Sequence, residues 1–260
     1  MNYYENKQWS DEELLVRILD KEEIKNLMAR RAFYYANDQR QRELDELWVA
    51  TEEFQATASY GRNWGYYTGM DSIRNYYVTA HKEKQEAALA ALQAAGLPAD
   101  GLNWGCGAFH ETTTPMLYIA GDGKTARGLW YVPGQETIMQ ADGTAACYWT
   151  MDNMSADFVK ENGSWKLWHL VVCSDFFVEA GTDFQEGTLD PLTGPDPFRD
   201  DFGTPDVPMV VHNPRYNLSD NYPAMPLPYE TYTAEGSLAP EGHPRRLDGY
   251  YKYMKEGLKK

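Results

Sequence analysis

Between residues 114 and 177 the chain carries four long apolar segments, "TPMLYIAG", "TARGLWYVPGQET", "AACYWTMDNMSADFVKENG" and "SWKLWHLVVCSDFF". Gly-Asp, Asp-Gly and Asn-Gly steps separate them, and these dipeptides supply the backbone of tight hairpin turns. Long strands joined in this way pair with their sequence neighbours. The block therefore predicts consecutive hairpins in one antiparallel sheet. The chain before it reads differently. In "SDEELLVRILDKEEIKNLMARRAFYYANDQRQRELDELW", Ser10 and Glu13 form a capping box, and Asp11 and Glu12 suit a helix N-terminus. Ile24, Leu27, Met28, Arg31 and Tyr35 keep helical spacing, so that face packs inward. After Asp38 the pattern restarts with Leu44, Leu47 and Trp48 as a short second helix.

"EEFQATASYG" reads as a strand closed by the turn-rich "GRNWGYYTG". Asp71 or Ser72 caps a long helix that ends at Gly96 and Pro98, its alanine-rich second half projecting from the body. From residue 181 to 260 the chain is rich in Pro, Asp, Gly and Tyr, which forbids long helices and inner strands. Segments such as "PMVVH" are too apolar for a free linker. This region is expected to be an extended arm packed on the domain or on a neighbouring subunit, with a last helical segment in "LDGYYKYMKEGLKK". The fold class is thus α+β: one domain over residues 10–180, a cone-shaped barrel whose curved antiparallel sheet wraps the N-terminal helices. The mouth of such a cone is a natural small-molecule pocket.

Composition closes off several functions. Twenty-four Lys and Arg stand against 39 Asp and Glu, a formal charge of −15 and a pI near 4.7. That balance argues against binding nucleic-acid phosphates or anionic lipid. Cys106, Cys147 and Cys173 form no CxxC pair, which fits a reducing compartment without a zinc site. "MNYYENKQWSDEELL" has no apolar leader, and no run approaches the ~18 apolar residues of a membrane span. The expectation is a cytoplasmic protein. A nucleophile elbow, a P-loop, a dinucleotide fingerprint and HExxH are all missing from the sequence, so neither cofactor nor metal is expected.

Four motifs, in order, resemble the SnoaL-like branch of the nuclear-transport-factor-2-like superfamily. They are "EEIKNLMARRAFYYANDQRQRELDELW", "YYTGMDSIRNYY", "AFHETTTPMLYIAGDGKTARGLWYV" and "DFVKENGSWKLWHL", the last with Leu167 at the family's isoleucine. The likeness spans roughly residues 12 to 178 and implies the cone fold. It leaves the reaction open, because the family holds scytalone-dehydratase-like and bile-acid-dehydratase-like lyases, isomerases, polyketide cyclases, hydrolases and non-catalytic binding modules. The long arm and the extended helix are also similar to additions in lyases that release formaldehyde from lignin-derived diaryl compounds. Members often dimerise or trimerise through the open sheet face, which implies a homo-oligomer.

His110 stands where the dehydratase-like members keep a histidine, and an imidazole can take and return a proton near neutrality. The resemblance also places a tyrosine and an aspartate at the end of the first helix: Tyr34 or Tyr35, with Asp38. A tyrosine hydroxyl can polarise an oxygen function, and a carboxylate can orient a histidine. His169, on the strand face of Trp165, Leu167 and Val171, is a fourth catalytic candidate; Asp152 and Asp157 are further acids. Tyr35, Trp64, Phe109, Trp130 and Tyr148 are expected to contact a hydrophobic aromatic ligand. His81, His212 and His243 read as surface residues. The expected function is a cofactor-independent lyase, a dehydratase or retro-aldol cleaving enzyme. The alternatives are an isomerase or cyclase of the same fold, or a non-catalytic binding or assembly module.

Overall fold

The capping box forms as read: Ser10 Oγ accepts from the Glu13 amide at 3.2 Å, and Glu13 accepts from the Ser10 amide at 2.8 Å. In the computed structural model, which describes residues 7–98, 107–139, 144–183, 204–212 and 222–243, it opens helix α1 (Asp11–Ala36). Helix α1 buries Ile24, Leu27, Met28, Arg31 and Tyr34. The helix stops at Asn37, Asp38 turns into the left-handed region at φ 53°, and α2 (Arg40–Leu47) follows. A short side chain that hydrogen-bonds locally tolerates that conformation best, which suits Asp at the corner.

The stretch expected to be a single strand and turn is instead a helix and a hairpin. Glu52 and Glu53 occupy the first turn of α3 (Glu52–Thr57), where acidic side chains are favoured. Strands β1 (Ser59–Arg62) and β2 (Gly65–Thr68) then pair across Asn63 and Trp64. The next helix starts at Met70 with Gly69 at its N-cap and no side-chain cap, so Asp71 and Ser72 lie inside its first turn. It runs as α4 (Met70–Arg74), one π-helical turn (Asn75–Thr79) and α5 (Ala80–Ala94). The wider turn lets the consecutive residues Tyr76 and Tyr77 both be buried, a local distortion common at functional sites. Gly96, at φ 70°, closes α5 as a left-handed cap.

Strands β3 (Gly107–His110), β4 (Thr113–Ile119), β5 (Thr125–Met139), β6 (Ala145–Glu161) and β7 (Ser164–Glu179) pair antiparallel, β5 carrying both β3 and β4 on one edge. Strand β1 joins β7 in parallel, and β8 (Val207–Pro208) adds to β2. The sheet is curved and unclosed, with order β3-β5-β6-β7-β1-β2-β8. On its concave face the helices close a core that includes Ile24, Met28, Trp48, Ile73, Trp130, Phe158 and Leu170.

Two bulges in the β6–β7 ladder decide which residues enter the cone. Asp157 pairs with His169 but Phe158 pairs with Leu167, so Trp168 is the extra residue. Each bulge shifts the two-residue alternation by one position. Trp165 and Leu167 therefore join the main core, whereas Val171 and Cys173 pack in a second cluster with Val211, Tyr222 and Leu238 of the arm. Residues 204–212 and 222–243 thus lie against the convex side of their own domain. Leu238 donates its amide to Asp157 at 2.6 Å, and Asn63 accepts the Val211 amide through its carbonyl. The expected C-terminal helical segment and Cys106 fall outside the described residues. Among the described residues, no helix is long and apolar enough to cross a membrane.

Candidate active site

The cone encloses a cavity of about 60 Å³ between α1, the π-turn and the inner faces of β1, β3, β5, β6 and β7. His110 ends β3 and pairs with Gly134 of β5. A Cβ at Gly134 would sit 2.6 Å from Thr150 Oγ1, 2.7 Å from the Phe109 carbonyl oxygen and 3.1 Å from His110 Nδ1. The imidazole lies over that vacant position.

Two carboxylates clasp the ring. Glu136 Oε1 is 2.8 Å from His110 Nε2, and Asp152 Oδ2 is 3.3 Å from Nδ1. All three side chains are less than a tenth exposed. Strand register explains the convergence. Glu136 is two residues from Gly134 on β5, and Asp152 is two from Thr150, the residue paired with Gly134 on β6. All of them therefore share the concave face. Tyr35 completes the group, its hydroxyl 3.3 Å from Glu136 Oε1 and its ring edge-on to the imidazole at 5.1 Å between centroids.

Burial works against a charge on His110, but the bonds to Asp152 and Glu136 outweigh it and lift the imidazole to about 9. At neutral pH the resting ring is an imidazolium. Burial alone would raise Asp152, yet His110 and the Arg62 charge hold it below the usual carboxylate range. Tyr35 is pushed up by burial and by Glu136, so its phenol stays protonated.

Of the residues chosen from sequence, His110, Tyr35 and Asp152 line the cavity. Tyr34 does not: it is buried on the α2 side of α1, where its hydroxyl donates to Glu46 at 2.6 Å and accepts from Arg30. Adjacent helix positions point about 100° apart, so the two tyrosines cannot both face the cavity. Tyr35 shares its face with Arg31, one turn earlier. Asp38 lies beyond the end of α1 and does not reach His110. It bonds His81 at 3.3 Å, Gln85 at 3.0 Å and Arg40 at 3.4 Å. Burial would raise Asp38, but these partners hold it at about 2.

His169 sits on the convex side of the Trp168 bulge, between Ser59 Oγ at 3.1 Å and the Tyr232 hydroxyl at 3.4 Å, away from the cavity. Burial depresses it to about 4. Phe109 is 63% exposed because it alternates with His110 on β3. Trp130 is core, edge-on to Phe158. Trp64 donates weakly to the Tyr67 hydroxyl in the β1–β2 turn, behind Arg62. Tyr148 stacks on Phe177, a cavity residue, at 4.6 Å. Asp157 faces the arm and pairs with Arg127 at 2.7 Å. His212 and His243 belong to the arm and are buried, and His81 lines the cavity, so none of the three is a surface residue.

Sequence reasoning passed over Glu136, Arg31, Arg40, Arg62 and the Tyr60/Tyr76/Tyr77 group, all of which line the cavity. Glu136 did leave a signal: an acid inside a long, otherwise apolar strand, two residues from an inward glycine. Arg31 left another, a cation on the apolar stripe of α1. Among the described residues, no cluster of His, Cys, Asp and Glu is arranged to hold a metal ion.

A curved unclosed sheet over N-terminal helices, with a polar cluster at the cavity, defines the nuclear-transport-factor-2-like cone fold. Residues 16–171 match the SnoaL-like domain, and the chain belongs to that family. Solved structures resembling it include a hexachlorocyclohexane dehydrochlorinase, at 17% identity over 65% of this chain and 95% of that one, with a TM-score of 0.44. A type-3 form of that dehydrochlorinase from Novosphingobium barchaimii has 14% identity, coverages of 65% and 97%, and a TM-score of 0.44. An NTF2-like protein with a cystatin-like fold from Novosphingobium aromaticivorans has 18% identity, coverages of 65% and 92%, and a TM-score of 0.39. A comparison with curated proteins found no match.

Proposed function

We propose that the protein is a lyase that needs no cofactor and eliminates water, or a similar small leaving group, from a small aromatic substrate. The observation that carries this reading is a buried histidine clasped by two carboxylates at a cavity. Asp152 accepts from Nδ1–H and fixes the ring, as the carboxylate of a catalytic triad does. Nε2 and Glu136 then form the couple that moves protons.

Because the resting ring is charged, His110 acts first as an acid. Glu136 takes the carbon-bound proton as the adjacent C–O bond breaks, and the electron pair of the C–H bond becomes the new double bond. His110 gives its Nε2 proton to the departing oxygen, so hydroxide leaves as water. Glu136 returns its proton to Nε2 across the 2.8 Å contact, which restores the starting state. Tyr35, bonded to Glu136, steadies the carboxylate. With a carbonyl substrate and no leaving group the same relay performs isomerisation.

Aromatic hydroxy-ketones and diols, screened for release of water or formaldehyde, test the reading. His110→Gln and Glu136→Gln are each expected to lower kcat by about 10²–10⁴, the usual contribution of one acid–base group. Tyr34→Phe is expected to leave kcat unchanged. Turnover that survives both cavity substitutions refutes the mechanism. Ligand binding without turnover in the whole screen favours a non-catalytic module.

A further inference from the structure

Arg31, Arg40 and Arg62 all reach the same cavity wall, in a protein whose net charge is −15. A guanidinium taken out of water is costly unless an anion answers it. Arg31 is answered by Glu43 at 3.2 Å, with both side chains almost wholly buried. Arg40 is answered by Asp38 at 3.4 Å, and the Tyr35 and Tyr77 rings lie 4.2 and 4.9 Å away. Arg62 differs. Among the described residues no carboxylate lies within ion-pair distance of it, its Nε is buried without an acceptor, and its guanidinium sits 5.2 Å from the centre of the Trp64 ring. Asp152 acts on it only from beyond ion-pair distance and is already committed to His110.

Charge in the cavity is therefore unevenly paired. The His110 imidazolium touches two carboxylates, Glu136 and Asp152, whereas the Arg62 guanidinium touches none and shares only the longer-range field of Asp152. We propose that Arg62 receives a carboxylate of the ligand, so that the substrate is an aromatic acid held with its reacting carbon toward His110 and Glu136. A planar carboxylate matches the guanidinium fork, and the fixed N–H groups lose little freedom on binding it. One unanswered cation balances one negative charge, which selects a monoanionic acid over a phosphate dianion. Glu136, bonded to the far nitrogen of His110, repels the acid group and so turns it toward Arg62.

The inference rests on the lyase reading for the word substrate, but binding alone tests it. Benzoate and trans-cinnamate, with benzamide and cinnamamide as neutral counterparts, are titrated calorimetrically into the full chain at pH 7. The acids are expected to bind at least tenfold tighter than their amides, in keeping with a charge-assisted hydrogen bond. Arg62→Gln is expected to remove that preference and Arg62→Lys to keep part of it. Amides that bind as well as acids, or acids that bind Arg62→Gln unchanged, overturn the proposal. So does inorganic phosphate binding more tightly than either acid. If Arg62→Gln fails to fold by circular dichroism, the acid–amide comparison on the native chain and on Arg62→Lys decides. Acid binding that persists in a turnover-dead His110→Gln variant supports the inference. Turnover of neutral substrates with no acid binding overturns it and leaves the lyase reading standing.

Discussion

Replacing Asp152 by Asn keeps the shape of the side chain that touches His110 Nδ1 and removes its charge. In the native protein, burial opposes the imidazolium, and the bonds to Asp152 and Glu136 overcome it to place the ring at about 9. Against an ordinary value of 6.5, that rise is worth about 3 kcal/mol in favour of the charged form. An opposite charge at this range shifts a titration by about 1–3 units, so Asp152→Asn should lower His110 by at least about one unit. Stability follows the same linkage. A folded value above the unfolded one gives a contribution that is complete below pH 6.5 and is lost as pH rises through 9. Asp152→Asn should therefore show a smaller fall in unfolding free energy between pH 6 and pH 9.5. Imidazole NMR of ¹⁵N-labelled protein reads the first quantity, with the His110 signal assigned by its disappearance in His110→Gln. Urea denaturation at the two pH values reads the second. A native His110 that titrates near 6.5, or one unmoved by Asp152→Asn, refutes the clasp and with it the charged resting state.

Two further outcomes follow from the packing. Gly134→Ala puts a methyl group 2.7 Å from the backbone oxygen of Phe109, which cannot swing aside as a side chain could. A loss of about 1–3 kcal/mol is expected in urea denaturation, with His110 titrating closer to 6.5 in whatever folds; native stability in this variant contradicts the register described. His169, held near 4 by burial, contributes the opposite pH dependence: its share of stability is whole above 6.5 and is lost as pH falls toward 4. Native protein should lose about 2–3 kcal/mol more than His169→Gln between pH 7 and pH 4.5, and parallel denaturation curves for the two would exclude burial as the cause.

The residues near the chain's local signals were legible. Ser10 and Glu13 predict the start of α1 to the residue, because a capping box is satisfied by groups three positions apart. The Gly-Asp and Asn-Gly turns predict the hairpins of β4 to β7, because a tight turn needs only its own dipeptide. Failures came where the determinant was remote. The strand expected from residue 52 became α3, since its short alternation begins only at Ser59. Two-residue alternation groups His169 with Trp165 and Leu167, and one extra residue, Trp168, puts it on the opposite face.

The sequence by itself determined the α+β class and the hairpin order of β4 to β7, which rest on contacts between chain neighbours. Only the tertiary structure decided what His110 touches. Glu136 and Asp152 lie 26 and 42 positions from it along the chain, and strand register across three neighbouring strands brings them within hydrogen-bond reach. The charge state of the imidazole, and hence whether it begins as an acid or a base, follows from that convergence.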